Sequence, residues 1–342
     1  MRQPRIKVPS HHPVAYYHCI SRVVNREFIF GDLEKAMFVK FMRSYERFCG
    51  VRVVTFCVMS NHFHILVEVP RRPEQLPDDE ALLELIATLG GESSAGTVRQ
   101  ILQRLRAEGS EGSIAAAEAL RESYFSRMWD VSMFMKSLKQ RFTVCHNRQH
   151  SRKGTLWEER YKSVLVEGSG DALATMAAYI DLNPLRAGMV TDPKAYRFCG
   201  YGEAVAGEAT ALAGLAVIAR YLSNASEVAT NLVLAEYREW IYGQGEERGV
   251  DESGAPVRRR FSQEAVQEVI AAKGQLTRQE LIRCKVRYFV DGCVIGSKAF
   301  VDEIFHGNRE RFGASRQDGG RKMRSTTPAL FSMRNLAANV YA

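Results

Sequence analysis

Two histidines flank one apolar residue in Ser60-Asn61-His62-Phe63-His64-Ile65-Leu66-Val67. In an extended strand alternate side chains share a face, so His62 and His64 point one way and Phe63 the other. Two imidazoles on one face can ligate a single divalent ion. Read alone, the pair fits equally a surface pair or a hydrogen-bonded core pair. Further along, Asp171 to Pro184 reads as a helix with Tyr179 and Asn183 four residues apart on one face. A tyrosine hydroxyl ordinarily titrates near pH 10. It becomes a useful nucleophile toward phosphorus when a metal ion polarises the phosphate. The Asn183 carbonyl oxygen can complete a metal shell begun by His62 and His64. The plainer reading of this stretch is an amphipathic helix whose tyrosine packs inward and whose asparagine closes the end.

The elements that must position these groups follow from pattern and punctuation. Residues 14–24 read as a strand entering a polar turn. Asp32 caps a helix with apolar positions at Leu33, Met37, Phe38, Phe41, Met42, Tyr45 and Phe48, and Gly50 closes it. Val51 to Val58 is a strand, and Met59-Ser60-Asn61 is a tight connection into the histidine strand, which ends near Val69. The continuous apolar character of both strands predicts central places in a sheet. Residues from about 71 to 128 switch to Ala/Leu/Glu/Arg-rich helices with small-residue patches, a helical insertion. Asp130 starts a further helix, a short strand runs from Tyr161 to Glu167, and Gly168-Ser169-Gly170 leads into the tyrosine helix. The order β-α-β-β-α-β is that of a ferredoxin-like split βαβ core, an α+β class with a central antiparallel sheet.

Beyond residue 202 the pattern changes. Residues 208–242 are Ala/Leu-rich and helical in character, and 243–260 form a charged, glycine-containing linker. Ser262 and Thr277 cap two short helices, the second with capping-box spacing, and Gly296-Ser297-Lys298 opens another that ends near Phe305. This gives two parts: 1–202, containing the insertion, and a helical accessory region over 203–342. Its short helices and tight turns are compatible with a DNA-binding module. The cluster Arg321-Lys322-Met323-Arg324 and the polar tail read as flexible.

The 342-residue chain carries a net charge of +8, which suits a polyanionic partner. Charge concentrates between Asp130 and Ser163, where eight Lys/Arg face three acids. Such an excess is expected where phosphates are neutralised. Seven scattered cysteines without a C-x-x-C pair fit reduced thiols in a cytosolic protein. The basic, polar start is unlike a signal peptide, and no apolar run approaches 18 residues, so neither secretion nor a membrane span is expected.

Five ordered stretches together resemble the single-tyrosine HUH transposases, in particular the REP-associated tyrosine transposases related to IS200/IS605. They are Tyr17-His18-Cys19-Ile20-Ser21-Arg22-Val23-Val24-Asn25-Arg26 with Ile29-Phe30; Val58 to Leu66; Leu138-Lys139-Gln140-Arg141-Phe142 with Asn147-Arg148; Gly154 to Ser163; and Tyr179-Ile180-Asp181-Leu182-Asn183-Pro184-Leu185-Arg186-Ala187-Gly188-Met189-Val190. The resemblance covers roughly residues 14–201 and implies the same ferredoxin-like fold. It implies a single-stranded DNA endonuclease and strand transferase that cuts and rejoins DNA beside a hairpin through a 5′-phosphotyrosine. Tyr179 is the implied nucleophile, and His62, His64 and Asn183 the implied ligands of Mg²⁺ or Mn²⁺. Arg22, Asn25, Arg26, Lys139, Arg141, Arg160 and Trp157 are the expected DNA contacts, Trp157 by stacking on a base or else as a buried brace of the sheet. The expected partner is single-stranded DNA with a REP-like palindrome, met by a monomer in the cytoplasm at the nucleoid. The glycines at 168 and 170 would let the tyrosine helix move, or simply make a tight loop. Competing readings are a non-catalytic hairpin-binding protein, an HUH replication initiator or relaxase, and a metal-dependent hydrolase using an activated water.

Overall fold

The computed structural model describes residues 5–168, 170–190, 193–222, 233–234, 237, 241, 292–312, 316–322 and 330–334. The linker at 243–260, the helices capped by Ser262 and Thr277, the Met323-Arg324 half of the basic cluster and the last residues of the tail lie outside them.

Strand β1 (Val14–Arg22) pairs antiparallel with β3 (His62–Pro70) on one side and with β4 (Lys162–Val166) on the other, while β2 (Arg52–Val58) pairs antiparallel with β3. The resulting order β2-β3-β1-β4 is the antiparallel arrangement of a ferredoxin-like core. Helix α1 (Asp32–Cys49) follows β1, and α4 (Val131–Gln149) precedes β4. Gly31 takes the N-cap place of α1 with Asp32 as the first helical residue, one position from expectation. Gly50 ends it at φ 61°, where a side chain would be strained. Asp130 caps α4, its carboxylate accepting from the backbone N–H groups of Ser132 and Met133.

The alternation of β3 sets up three layers. Phe63 is fully buried and meets Phe38 of α1 at 4.5 Å between ring centroids and Trp157 at 5.5 Å. The opposite face of the sheet is covered by α5 (Gly170–Asp181) and α8 (Ala209–Leu222), both of which pack on β2. Between them run the short helices α6 (Asn183–Arg186) and α7 (Gly200–Val205). Strand β2 is not central, as its apolar run suggested, but stands at the sheet's edge. Its residues are buried because both faces are covered, and the edge itself is closed by the chain at 198–199: Val58 N–H donates to the Phe198 carbonyl, and the backbones of Cys57 and Cys199 form an isolated antiparallel β-bridge. An apolar run reports burial of both faces, not rank within a sheet.

The insertion is helical as expected, built of α2 (Asp79–Glu108) and α3 (Glu111–Phe125), with α2 packed on α1. Gly91, at φ 72° and ψ 178°, breaks α2 into two segments. The C-terminal region is not helical throughout. Helix α9 (Lys298–His306) begins at the Ser297 cap, but β5 (Gly292–Gly296), β6 (Arg321–Lys322) and β7 (Phe331–Arg334) extend the sheet to seven strands among the described residues. β5 joins the exposed edge of β4 in parallel through Leu165↔Val294 and Val166↔Ile295. The glycine-bounded Cys293-Val294-Ile295 run is a short strand signal that the neighbouring helical patterns obscured. Among the described residues no helix is long and apolar enough to cross a membrane.

Candidate active site

The register Arg22↔His62 and Ile20↔His64 places both histidines beside the end of β1, on the sheet face that α5 covers. The two imidazole centroids lie 5.1 Å apart, nearly perpendicular. From α5, the Tyr179 ring stands edge-on to His64 and to His18, at 5.8 Å from each. A cavity of about 280 Å³ opens here, lined by His62, His64, Tyr179 and Asn183. Its mouth carries Arg22, Arg160 and Lys162 together with Glu158 and Glu159.

The tautomer of His62 follows from its partner, and that of His64 is coupled to that of His18. His62 Nδ1 lies 2.7 Å from Asn61 Oδ1, an atom that only accepts, so Nδ1 holds the proton and Nε2 keeps its lone pair. His64 Nδ1 lies 3.0 Å from His18 Nε2. With the proton on His64 Nδ1 and His18 accepting, His64 also keeps its lone pair on Nε2. Burial lowers the pKa of His62 to about 4, with the Arg22 charge adding to the effect. Burial likewise pushes His64 well below the ordinary histidine value, helped by His62, His18, Arg186 and Arg22. Both rings are therefore neutral at pH 7, the state in which an imidazole ligates metal. The Asn183 amide nitrogen donates to the carbonyls of Tyr179 and Ile180 at 3.0 and 3.2 Å, which leaves the amide oxygen as its ligating atom. Two neutral imidazoles and one amide oxygen around a cavity are a donor set that fits a divalent cation.

Tyr179 is buried, and burial raises its pKa, while Arg186 and Arg22 act in the other direction. The Arg186 guanidinium lies 4.7 Å from its ring centroid. The loop ahead of α5 is tight: a Cβ on Gly168 would sit 2.4 Å from the Tyr16 ring, so this glycine permits close packing.

The expected DNA contacts divide. Arg22 and Arg160 line the cavity. Asn25 and Arg26 sit in a turn with φ of 56° and 57°, and Asn61 ties that turn to the site by donating to the Arg26 carbonyl. Lys139 donates to the Glu159 carbonyl at 3.1 Å, and burial lowers its pKa to about 8. Arg141 lies elsewhere, its guanidinium 5.4 Å from the Phe41 ring on α1. Trp157 does not offer a face for base stacking. Its ring is buried among Phe30, Phe63 and Phe142, and its Nε1–H donates to Thr143 Oγ1 at 2.8 Å. An aromatic in a motif beside a basic loop reads the same in sequence whether it braces the loop from beneath or faces a ligand. Sequence reasoning does not place His18 or Asn61 at the site. The signal for His18 was its spacing: His18, Ile20 and Arg22 share one face of β1, and pairing with β3 brings that face to His64.

Paired histidines, a tyrosine and an asparagine thus line one cavity of this α+β protein, with charged residues at its rim. Residues 12–103 match the family model described as "Transposase IS200 like". Among solved structures, a REP-associated tyrosine transposase bound to a REP hairpin is similar at 12% identity, with a TM-score of 0.38, over 60% of this chain and 87% of that one. No curated protein matches the chain.

Proposed function

We propose that this protein cuts and rejoins single-stranded DNA beside a hairpin, with Tyr179 as the nucleophile. The observation that carries the reading is the convergence of Tyr179 on His64 in a cavity that His62 and Asn183 also line. His62, His64 and Asn183 would hold a divalent cation, Mg²⁺ or Mn²⁺, which supplies Lewis-acid polarisation of the scissile phosphate. Tyr179 forms a bond from its phenolic oxygen to phosphorus while the bond from phosphorus to the 3′ oxygen breaks. The phenol proton is lost, the departing 3′ oxygen gains one, and the energy of the broken ester is kept in the phosphotyrosine for rejoining. Arg22 and Arg160 neutralise flanking phosphates at the rim. The loop carrying Asn25, Arg26 and the outward-facing Phe28, which is 81% exposed, would contact unpaired bases, with Phe28 taking the stacking place that Trp157 cannot.

All four central residues come from one chain, which supports a monomer, and a DNA substrate would place it at the nucleoid. Residues 1–202 would form the catalytic unit, and the C-terminal region would assist in holding DNA. The test is a denaturing gel of the protein mixed with hairpin-bearing single-stranded oligonucleotides and Mg²⁺ or Mn²⁺. The expected result is a slow-migrating covalent adduct that disappears in Tyr179→Phe. Cleavage that survives Tyr179→Phe would establish a hydrolase, and bound but intact DNA a binding protein. Mixing Tyr179→Phe with His64→Ala should not restore the adduct, whereas restoration would show that tyrosine and histidines come from different copies.

A further inference from the structure

We propose a second metal site, for Zn²⁺, formed by His11, His12 and Glu303 and independent of the transposase reading. His11 and His12 precede β1 in a turn in which the His12 N–H donates to the Pro9 carbonyl. Arg71, just past β3, fixes that turn by donating to the carbonyls of His12 and Pro9 at 2.7 and 2.5 Å. The edge of the His12 ring packs on Phe300, one turn before Glu303 on α9. With the rings so held, His11 Nε2 lies 2.6 Å and His12 Nε2 2.9 Å from one carboxylate oxygen of Glu303. The three donor atoms all lie within 4.8 Å of one another.

Two imidazole nitrogens and a carboxylate oxygen make a zinc donor set. Zinc–ligand bonds of about 2.1 Å in a tetrahedron hold ligand atoms about 3.3 Å apart. The present nitrogen–oxygen contacts need open by about 0.7 and 0.4 Å, a change within reach of a glutamate and a histidine at the surface. The half-exposed rim leaves room for a water as fourth ligand. The ion would replace the imidazole protons now directed at the carboxylate, and so join the segment before β1 to the C-terminal helix α9. This position cannot serve the cavity. It lies before the first residue of β1, whereas His62 and His64 lie beside the last ones, about 25 Å away along the strand.

The test uses the full chain bearing His62→Asn and His64→Asn, which removes the other candidate ligands. After chelator treatment and titration with Zn²⁺ against a chromophoric competitor, one zinc per chain should be retained. Glu303→Gln or His11→Ala in that background should weaken binding about tenfold or more, and zinc should raise the unfolding temperature of the parent chain but not of Glu303→Gln. Absence of stoichiometric zinc, or zinc affinity unchanged by both substitutions, overturns the site. Should the double variant fail to fold, the wild-type chain and its Glu303→Gln form are compared directly: a difference of one zinc per chain supports the site, and equal content overturns it.

Discussion

The two faces of helix α5 meet the protein in opposite ways. Tyr179 stands at a cavity beside His64, while Asp181, two residues on, is shut in. The Asp181 carboxylate accepts from Thr55 Oγ1 at 2.8 and 2.9 Å, from the Tyr237 hydroxyl at 2.6 Å and from the Tyr201 N–H at 3.2 Å. Glycine at position 200 lets the chain come this close, since a Cβ there would lie 2.2 Å from Thr55 Oγ1. One face thus anchors the helix to β2, and the other presents Tyr179, the proposed nucleophile. The comparison predicts that the faces fail differently. Tyr179→Phe should abolish adduct formation, a loss of at least about 10³-fold in strand-cleavage rate. It should change stability by less than about 1 kcal/mol in urea titration. A large loss of stability would mean that Tyr179 is itself an anchor.

The anchor should break the fold before it breaks the chemistry. Asp181→Ala leaves two hydroxyls and a backbone N–H without their buried acceptor, and should cost about 3 kcal/mol in urea unfolding. Burial raises the Asp181 pKa from 3.8 to about 6, against the pull of its hydrogen bonds. The native state therefore holds this proton more tightly than the unfolded chain. The contribution is fully present below about pH 3.8 and is lost as pH rises through about 6, a change on the order of 3 kcal/mol. Asp181→Asn should remove that part of the pH dependence between pH 4 and 6. An unchanged profile would show that Asp181 is ionised throughout.

Much of this arrangement was legible in the sequence. The alternation around Phe63 separates the core face of β3 from the histidine face, and the element order gives the antiparallel core. The Tyr179–Asn183 spacing gives one helix face. What could not be read depends on contacts between segments remote in sequence. Trp157 and Arg141 belong to the stretches that carry the basic excess, yet one is core and the other lies against α1, because facing direction is set by α1 and β3 rather than by local pattern. The partners of Asp181 come from residues 55, 201 and 237, and no spacing rule links them. The strands β5 to β7 were hidden for a related reason: short strands gain their identity from the β4 edge they complete.

His18 extends the comparison to the cavity side, where the supporting contact is between two ring nitrogens instead of a carboxylate and its donors. Its Nε2 lies against His64 Nδ1 and so directs the opposite nitrogen of His64 into the cavity. His18→Phe should weaken Mn²⁺ binding about tenfold, as read by electron paramagnetic resonance of bound Mn²⁺. His18→Gln, which keeps an acceptor near the same place, should recover part of that affinity. Equal losses in both variants would assign His18 a packing role only.

The smallest effect separates two arginines. Arg22 lines the cavity opposite His62 in the strand register, whereas Arg141 lies over Phe41 on the α1 side. If DNA follows the cavity rim, Arg22→Ala removes one phosphate contact. The slope of log K against log salt should then fall by about 1. Arg141→Ala should leave both slope and affinity unchanged, within about 0.5 kcal/mol. Binding of a hairpin oligonucleotide by fluorescence anisotropy across a salt series reads both. Equal slopes lost in the two variants would move the DNA path from the rim onto α4, where the basic excess of residues 130–163 begins, and would detach the site of binding from the site of chemistry.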